Sequence, residues 1–271
     1  MLLERFLWAK ADEVARLRQQ ERKGALPVPF SGQRGDFIAA LQQREAGVPL
    51  TVIAEFKQAS PSRGPICHSL TVEEAARQYV AAGAGALSIL TERRFFAGEL
   101  DFLGRAAACC PGTPLLRKDF IFDPLQVRAT AATPAAALLL IVALTPDAAL
   151  LRRLREQTES LGMQAVMEVC GKKDLVLARE SGARIIQVNA RDLDTLRVDR
   201  QACLELARQC PPEKGEIWIA ASGMDSRDHL EEAARAGFSA ALVGTALMQQ
   251  GQPGAALRRL LRGREGGHPA A

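Results

Sequence analysis

The feature that most limits how this chain can fold is a recurrence of short aliphatic runs, eight in all, with helical patterns between them. The runs are TVIAEF (51–56), ALSIL (86–90), LLRK (115–118), ALLLIV (137–142), QAVMEV (164–169), IIQVN (185–189), EIWIA (216–220) and AALVG (240–244). Their starts fall about 20 to 35 residues apart, the length of a strand plus a crossover helix. Runs that are nearly continuous in apolar residues predict strands buried on both faces, the habit of parallel sheets. The segments between them carry helix punctuation. TVEEAARQYVAAGAG opens at Thr71, has Glu73 and Glu74 in its first turn and stops at Gly83, while SRDHLEEAARAG opens at Ser226 or Asp225 and stops at Gly237. Eight such units predict a closed (β/α)8 TIM barrel. An open doubly wound sheet is the alternative, but no G-x-G-x-x-G follows the first strand. The expected organisation is a single domain: an N-terminal helical extension over 1–48 (helices near 2–20 and 34–46), the barrel over 49–260, and a polar, Gly-rich, disordered tail over 261–271.

Composition narrows the function classes. The chain is 48% apolar, 24% charged and carries a net charge of +4, which suits an anionic small molecule without requiring one. It has no block of Lys and Arg, and Arg152, Arg153 and Arg155 read as a solvated helix face, so nucleic-acid binding is not expected. The cysteines at 67, 109, 110, 170, 203 and 210 form no C-x-x-C pair, and no His is spaced to join them. Reduced thiols and no metal site are therefore expected. Charges interrupt MLLERFLWAKADEVARLRQQ too often for a signal peptide, its acidic residues argue against a transit peptide, and no run reaches the ~20 apolar residues of a membrane span. A soluble, cytoplasmic protein, monomeric or weakly homo-oligomeric, is the expectation.

In a barrel of this type chemistry sits at the C-terminal ends of the strands. Alternation along the first strand puts Ile53, Glu55 and Lys57 on one side. The third strand delivers Lys118 and the fifth Glu168 to the same end, where burying an ionised group is costly unless it is paired. His68, His229 and His268 fall in a loop, on a charged helix and in the tail, so acid–base work is assigned to Lys and Glu. Burial and crowding are expected to lower the pKa of one lysine toward neutrality. After the last two strands come Ala221-Ser222-Gly223-Met224 and Val243-Gly244-Thr245-Ala246. Glycine after a strand, with backbone N–H groups and a hydroxyl ahead of a helix, predicts a phosphate cradle and hence a phosphorylated small-molecule substrate.

Several segments together resemble indole-3-glycerol-phosphate synthase along nearly the whole chain. AEFKQASPSRG (54–64), LSILTERRFFAGELDFL (87–103), PLLRKDFIFDPLQV (114–127), EV (168–169), NARDL (189–193), SGM (222–224) and LVGTALM (242–248) follow in the order of that family. The resemblance implies a carboxy-lyase of tryptophan or specialised indole biosynthesis. Its substrate would be 1-(2-carboxyphenylamino)-1-deoxyribulose 5-phosphate, which undergoes ring closure, decarboxylation and dehydration without metal or organic cofactor. It further implies Lys118 as general acid, Glu168 as general base, Lys57 as an assistant and Glu55 as the group that orients the lysines. Asn189 and Arg191, placed on one strand face, would hold polar groups of the substrate. Ser60, Ser222, Gly223, Gly244 and Thr245 would surround the phosphate and ribulose, and Phe96 and Phe120 would either wall the aromatic ring or fill the core.

The chain departs from the family pattern in four places. Ala221 stands where the family has Glu in Glu-Ser-Gly, Cys170 replaces the His of Glu-Val-His, Gln187 replaces the Gly of G-I-N-x-R, and Pro134-Ala135-Ala136-Ala137 replaces G-A-D-A. Two other readings stand beside the synthase: a phosphate-binding barrel enzyme of the phosphoribosylanthranilate isomerase type, and an inactive paralogue serving as a binding or scaffold protein.

Overall fold

The computed structural model describes residues 2–263 apart from 68, 193 and 194, with the side chains of Leu2 and Leu3 left out. The expectations for His68, His268 and residues 264–271 therefore lie outside the described residues. Eight parallel strands among these residues close into a barrel. They are β1 (Thr51–Phe56), β2 (Ala86–Leu90), β3 (Leu115–Lys118), β4 (Ala137–Ile141), β5 (Gln164–Val169), β6 (Ile185–Asn189), β7 (Ile217–Ala221) and β8 (Ala240–Val243). Closure runs through β8, where Thr51 pairs with Ala240 and Ala54 with Val243. The expected boundaries shift by single residues. β4 ends early because Val142–Leu144 tightens into a 3-10 turn, and β8 ends at Val243 because Gly244 leaves the ladder.

Alternation divides the strands between two cores. Ile53, Leu139, Val166, Ile185, Ile219 and Leu242 point inward and fill the barrel, while Val52, Leu87, Leu138, Met167, Ile186 and Trp218 pack outward beneath the helices. Each strand is thus apolar on both faces, which is why the aliphatic runs were continuous. The helix signals hold in detail. Thr71 and Glu74 form a capping box, Asp123 and Gln126 form another, and Ser226 caps Arg227–Arg235. Gly83 and Gly237 stop their helices at φ +95°, where a Cβ would strain the backbone. The final helix, Pro253–Arg262, takes in Leu261 and Arg262, and Leu261 is buried.

Ahead of the barrel lie α1 (Leu2–Arg22) and α2 (Phe37–Gln42). α1 packs along the outside of the barrel, beginning at the mouth. Phe6 reaches the mouth, Lys10 bonds Asp119 just beyond β3, Leu17 packs on Leu125 and Ala129, and Arg18 pairs with Asp123. Past its end, the Arg34 guanidinium binds the carbonyls of Ala131, Thr133 and Ala135 ahead of β4. Phe37 and Leu41 of α2 then join the interior core. The extension is tied to the barrel at both ends.

Candidate active site

The inward positions nearest the C-terminal ends of β1, β3, β5 and β6 are polar, those of β2, β4, β7 and β8 are apolar, and together they surround a cavity of about 600 Å³. Each residue singled out from the sequence reaches its wall: Glu55, Lys57, Ser60, Phe96, Lys118, Phe120, Glu168, Asn189, Arg191, Ser222, Gly223, Gly244 and Thr245. Two ion pairs form its floor. Lys57 Nζ lies 2.7 Å from Glu55 Oε1, and Lys118 Nζ lies 3.1 Å from Glu168 Oε2. Glu55 thus bonds Lys57 directly, while the partner that orients Lys118 is Glu168. Both carboxylates are buried.

The expectation of a lowered lysine pKa is corrected at Lys118. Burial alone would depress it, but the carboxylates of Glu168 and Glu55 outweigh burial and hold the ammonium above its ordinary range. The buried lysine keeps its proton.

Asn189 organises the far side. Its Nδ2 donates to Glu168 Oε1 at 3.1 Å, and its Oδ1 accepts from the Arg191 N–H at 3.0 Å and from Ser222 Oγ at 2.8 Å. Arg191 does not share the β6 face. It lies beyond the strand in an isolated bridge with Val198, and its guanidinium donates to the Leu196 carbonyl at 2.8 Å. Burial, and then the Arg63 charge, pull its pKa down. A cation under that repulsion favours an incoming anion. Arg63 itself comes from a short hairpin, Ala59–Ser60 against Gly64–Pro65, that projects over the cavity.

The turn after β7 has two successive left-handed residues, Ser222 at φ +69° and Gly223 at φ +74°. This conformation is uncommon for a non-glycine residue, and the bond to Asn189 fixes it at Ser222. After β8, a Cβ on Gly244 would fall 2.3 Å from Glu55 Oε1 and 3.0 Å from Lys57 Nζ. The absence of a Cβ at Gly244 lets β8 end directly against the Glu55–Lys57 pair, so the turn after β8 and the floor share one close contact. Thr245 follows at the start of the short helix Thr245–Met248.

Phe96 and Phe120 pack 6.1 Å apart, and Phe6 of α1 stacks on Phe120 at 4.1 Å with the rings 15° from parallel. Phe6, Arg63 and Glu92 line the cavity without having been singled out. Phe6 sits far from every strand, and Arg63 reads as an ordinary turn residue. Ala221 lies on the wall between Asn189 and Leu242, its strand neighbours, and brings no carboxylate. Among the described residues no group of three His, Cys, Asp or Glu is placed to hold a metal, and no helix is long and apolar enough to cross a membrane. All six cysteines are free thiols, and Cys170, just after β5, is exposed.

Among solved structures, 3-hexulose-6-phosphate synthase superposes with a TM-score of 0.63 at 15% identity, covering 78% of this chain and 98% of that one. At that identity the likeness speaks for the fold alone. The sequence model described as indole-3-glycerol phosphate synthase matches residues 3–260. The chain belongs to the indole-3-glycerol phosphate synthase family. The synthase of Chloroherpeton thalassium is 41% identical over 254 residues, covering 91% of this chain and 94% of that protein. That of Mycobacterium ulcerans is 43% identical over 235 residues, 87% of this chain and 83% of its own length. Family membership makes the chain an enzyme of the carboxy-lyase type, and the cavity at the barrel mouth is where its residues gather.

Proposed function

We propose that the cavity closes the pyrrole ring of 1-(2-carboxyphenylamino)-1-deoxyribulose 5-phosphate and releases carbon dioxide and water to give indole-3-glycerol phosphate. The observation that carries this reading is the pair of lysines, each bonded to a buried carboxylate, on the floor of one cavity. Lys118 is the general acid. It protonates the ribulose carbonyl oxygen as the ring carbon attacks, and a raised pKa is no obstacle because the developing alkoxide is more basic than an amine. Loss of carbon dioxide restores the aromatic ring. Lys57 then donates to the departing hydroxyl, and Glu168 takes the proton released from the ring system. Glu55 holds Lys57 in place.

The left-handed Ser222–Gly223 turn and, against the Glu55–Lys57 pair, the Gly244–Thr245 turn hold the phosphate with backbone N–H groups and hydroxyls, the usual location in barrels of this type. Ser60 adjoins them. Asn189 and Arg191 hold the polar groups of the substrate, Arg191 being suited to a carboxylate. Phe96 and Phe120, buttressed by Phe6, wall the aromatic ring. The chain works in the cytoplasm, where its free thiols stay reduced.

Supplying this substrate to the purified protein tests the reading. An indole fluorophore and one carbon dioxide per turnover are expected. An isomerised product without carbon dioxide would replace the synthase with an isomerase, and no turnover would leave a binding protein that lacks the family's strand-seven carboxylate at Ala221.

A further inference from the structure

One buried side chain at the base of the site has a polar end turned to the reaction machinery and no role in the scheme above. Gln187 sits on β6 between the inward residues Ile185 and Asn189, and it is wholly buried. Its amide Nε2 donates to Glu168 Oε2, the same oxygen that accepts from Lys118. Its Oε1 has no hydrogen-bond partner. The reverse amide orientation would set an oxygen against the carboxylate, so repulsion selects the observed one.

Packing alone does not account for an amide here. The inward neighbours Ile185, Ile219, Val166 and Leu139 are aliphatic, and a buried amide with an orphaned oxygen is destabilising relative to such a residue. What the amide supplies is a third fixed N–H donor to Glu168, beside Lys118 Nζ and Asn189 Nδ2. The three donors approach from two strands and occupy both oxygens. Ala221, on the next strand, contributes neither donor nor charge. The groups that face Glu168 electrostatically are Lys118 on β3 and Cys170 just after β5, while Glu55 acts on the same lysine from β1.

We infer that Gln187 is a positioning residue that locks the Glu168 carboxylate, from below, into the orientation in which it serves as base. The amide does not reach the substrate; it acts through Glu168. This rests on the ring-closing reading. Methionine has nearly the volume of glutamine and cannot donate, so Gln187→Met removes the donor with little change in packing.

Steady-state kcat and KM of wild type and Gln187→Met, with a thermal melt of each, test the inference. A hydrogen bond to a charged group of this strength corresponds to a loss of about tenfold or more in kcat, with KM changed by less than about threefold. Wild-type kcat in a folded variant overturns the inference. So does a lowered melting temperature alone, or a rise confined to KM. Gln187→Ala carries the same comparison if the Met variant fails to fold. A wild type without turnover sinks the ring-closing reading and this inference with it, whereas an active wild type matched by both variants sinks the inference alone.

Discussion

Two clusters of buried charge lie on either side of β3, and they differ in what they leave unfinished. Outside the barrel, Asp119 accepts from Lys10 Nζ at 3.0 Å, Thr91 Oγ1 at 2.5 Å, Arg117 Nη2 at 2.7 Å and the Phe120 N–H at 2.8 Å. Arg117 in turn reaches Glu13, Thr130 and the Gln126 carbonyl. Every group is answered by protein, and the cluster clamps α1 to the strand. Inside the barrel, Lys118 has a single carboxylate partner, Glu55 Oε2 has none, and both pairs face open cavity. Both clusters pair carboxylates with cations. A closed network of this kind fixes structure, while an open one keeps bonding capacity for a substrate.

Four substitutions sharpen that contrast. Lys118→Ala, which removes the proton donor, is expected to lower kcat about a thousandfold with only a small change in melting temperature; steady-state assay and calorimetry together check it. Asp119→Asn leaves Lys10 and Arg117 with only Glu13 as an anion and should lower stability by about 3 kcal/mol in denaturant titration. Its kcat should fall far less than that of Lys118→Ala. Gly244→Ala forces a Cβ into the Glu55–Lys57 pair, and a misplacement on that scale is expected to reduce kcat/KM by about 10- to 100-fold. Phe6→Ala, which removes the ring stacked on Phe120, should raise KM by about three- to tenfold while kcat changes less.

A smaller effect concerns pH. Burial would raise the Asp119 carboxyl, but Arg117 and Lys10 prevail and hold it well below the usual carboxylate range. The folded value is thus depressed, so its contribution to stability is present above the ordinary carboxyl pKa and is lost as pH falls through that range. Wild type should therefore lose more stability than Asp119→Asn between about pH 5 and pH 2. Equal losses in acid titrations of the two would place the anion elsewhere.

The barrel was legible in the sequence because its signals are local. Continuous aliphatic runs, caps at Thr71 and Ser226 and stops at Gly83 and Gly237 each follow from a few neighbouring residues. The strand-end ionisable groups were legible for the same reason, since alternation alone sends Glu55 and Lys57 inward together. What the sequence concealed depends on partners far along the chain. Burial is expected to weaken one strand-end lysine's hold on its proton, yet at Lys118 the carboxylate of Glu168, fifty positions away in the chain, reverses the sign. Phe6 joins the aromatic wall across 114 positions, and Arg191, past the end of β6, sits in a bridge with Val198. Gln187 stood out only as a departure from a pattern until its amide met Glu168.

The open cluster's assignment as machinery is tested most directly by giving Lys118→Ala an ammonium it no longer carries. Turnover of the carboxyphenylamino substrate is followed by indole fluorescence as propylammonium is added to the folded variant. The account predicts near-complete loss without amine and a saturable recovery as its concentration rises. Turnover within tenfold of wild type before any amine is added would contradict it.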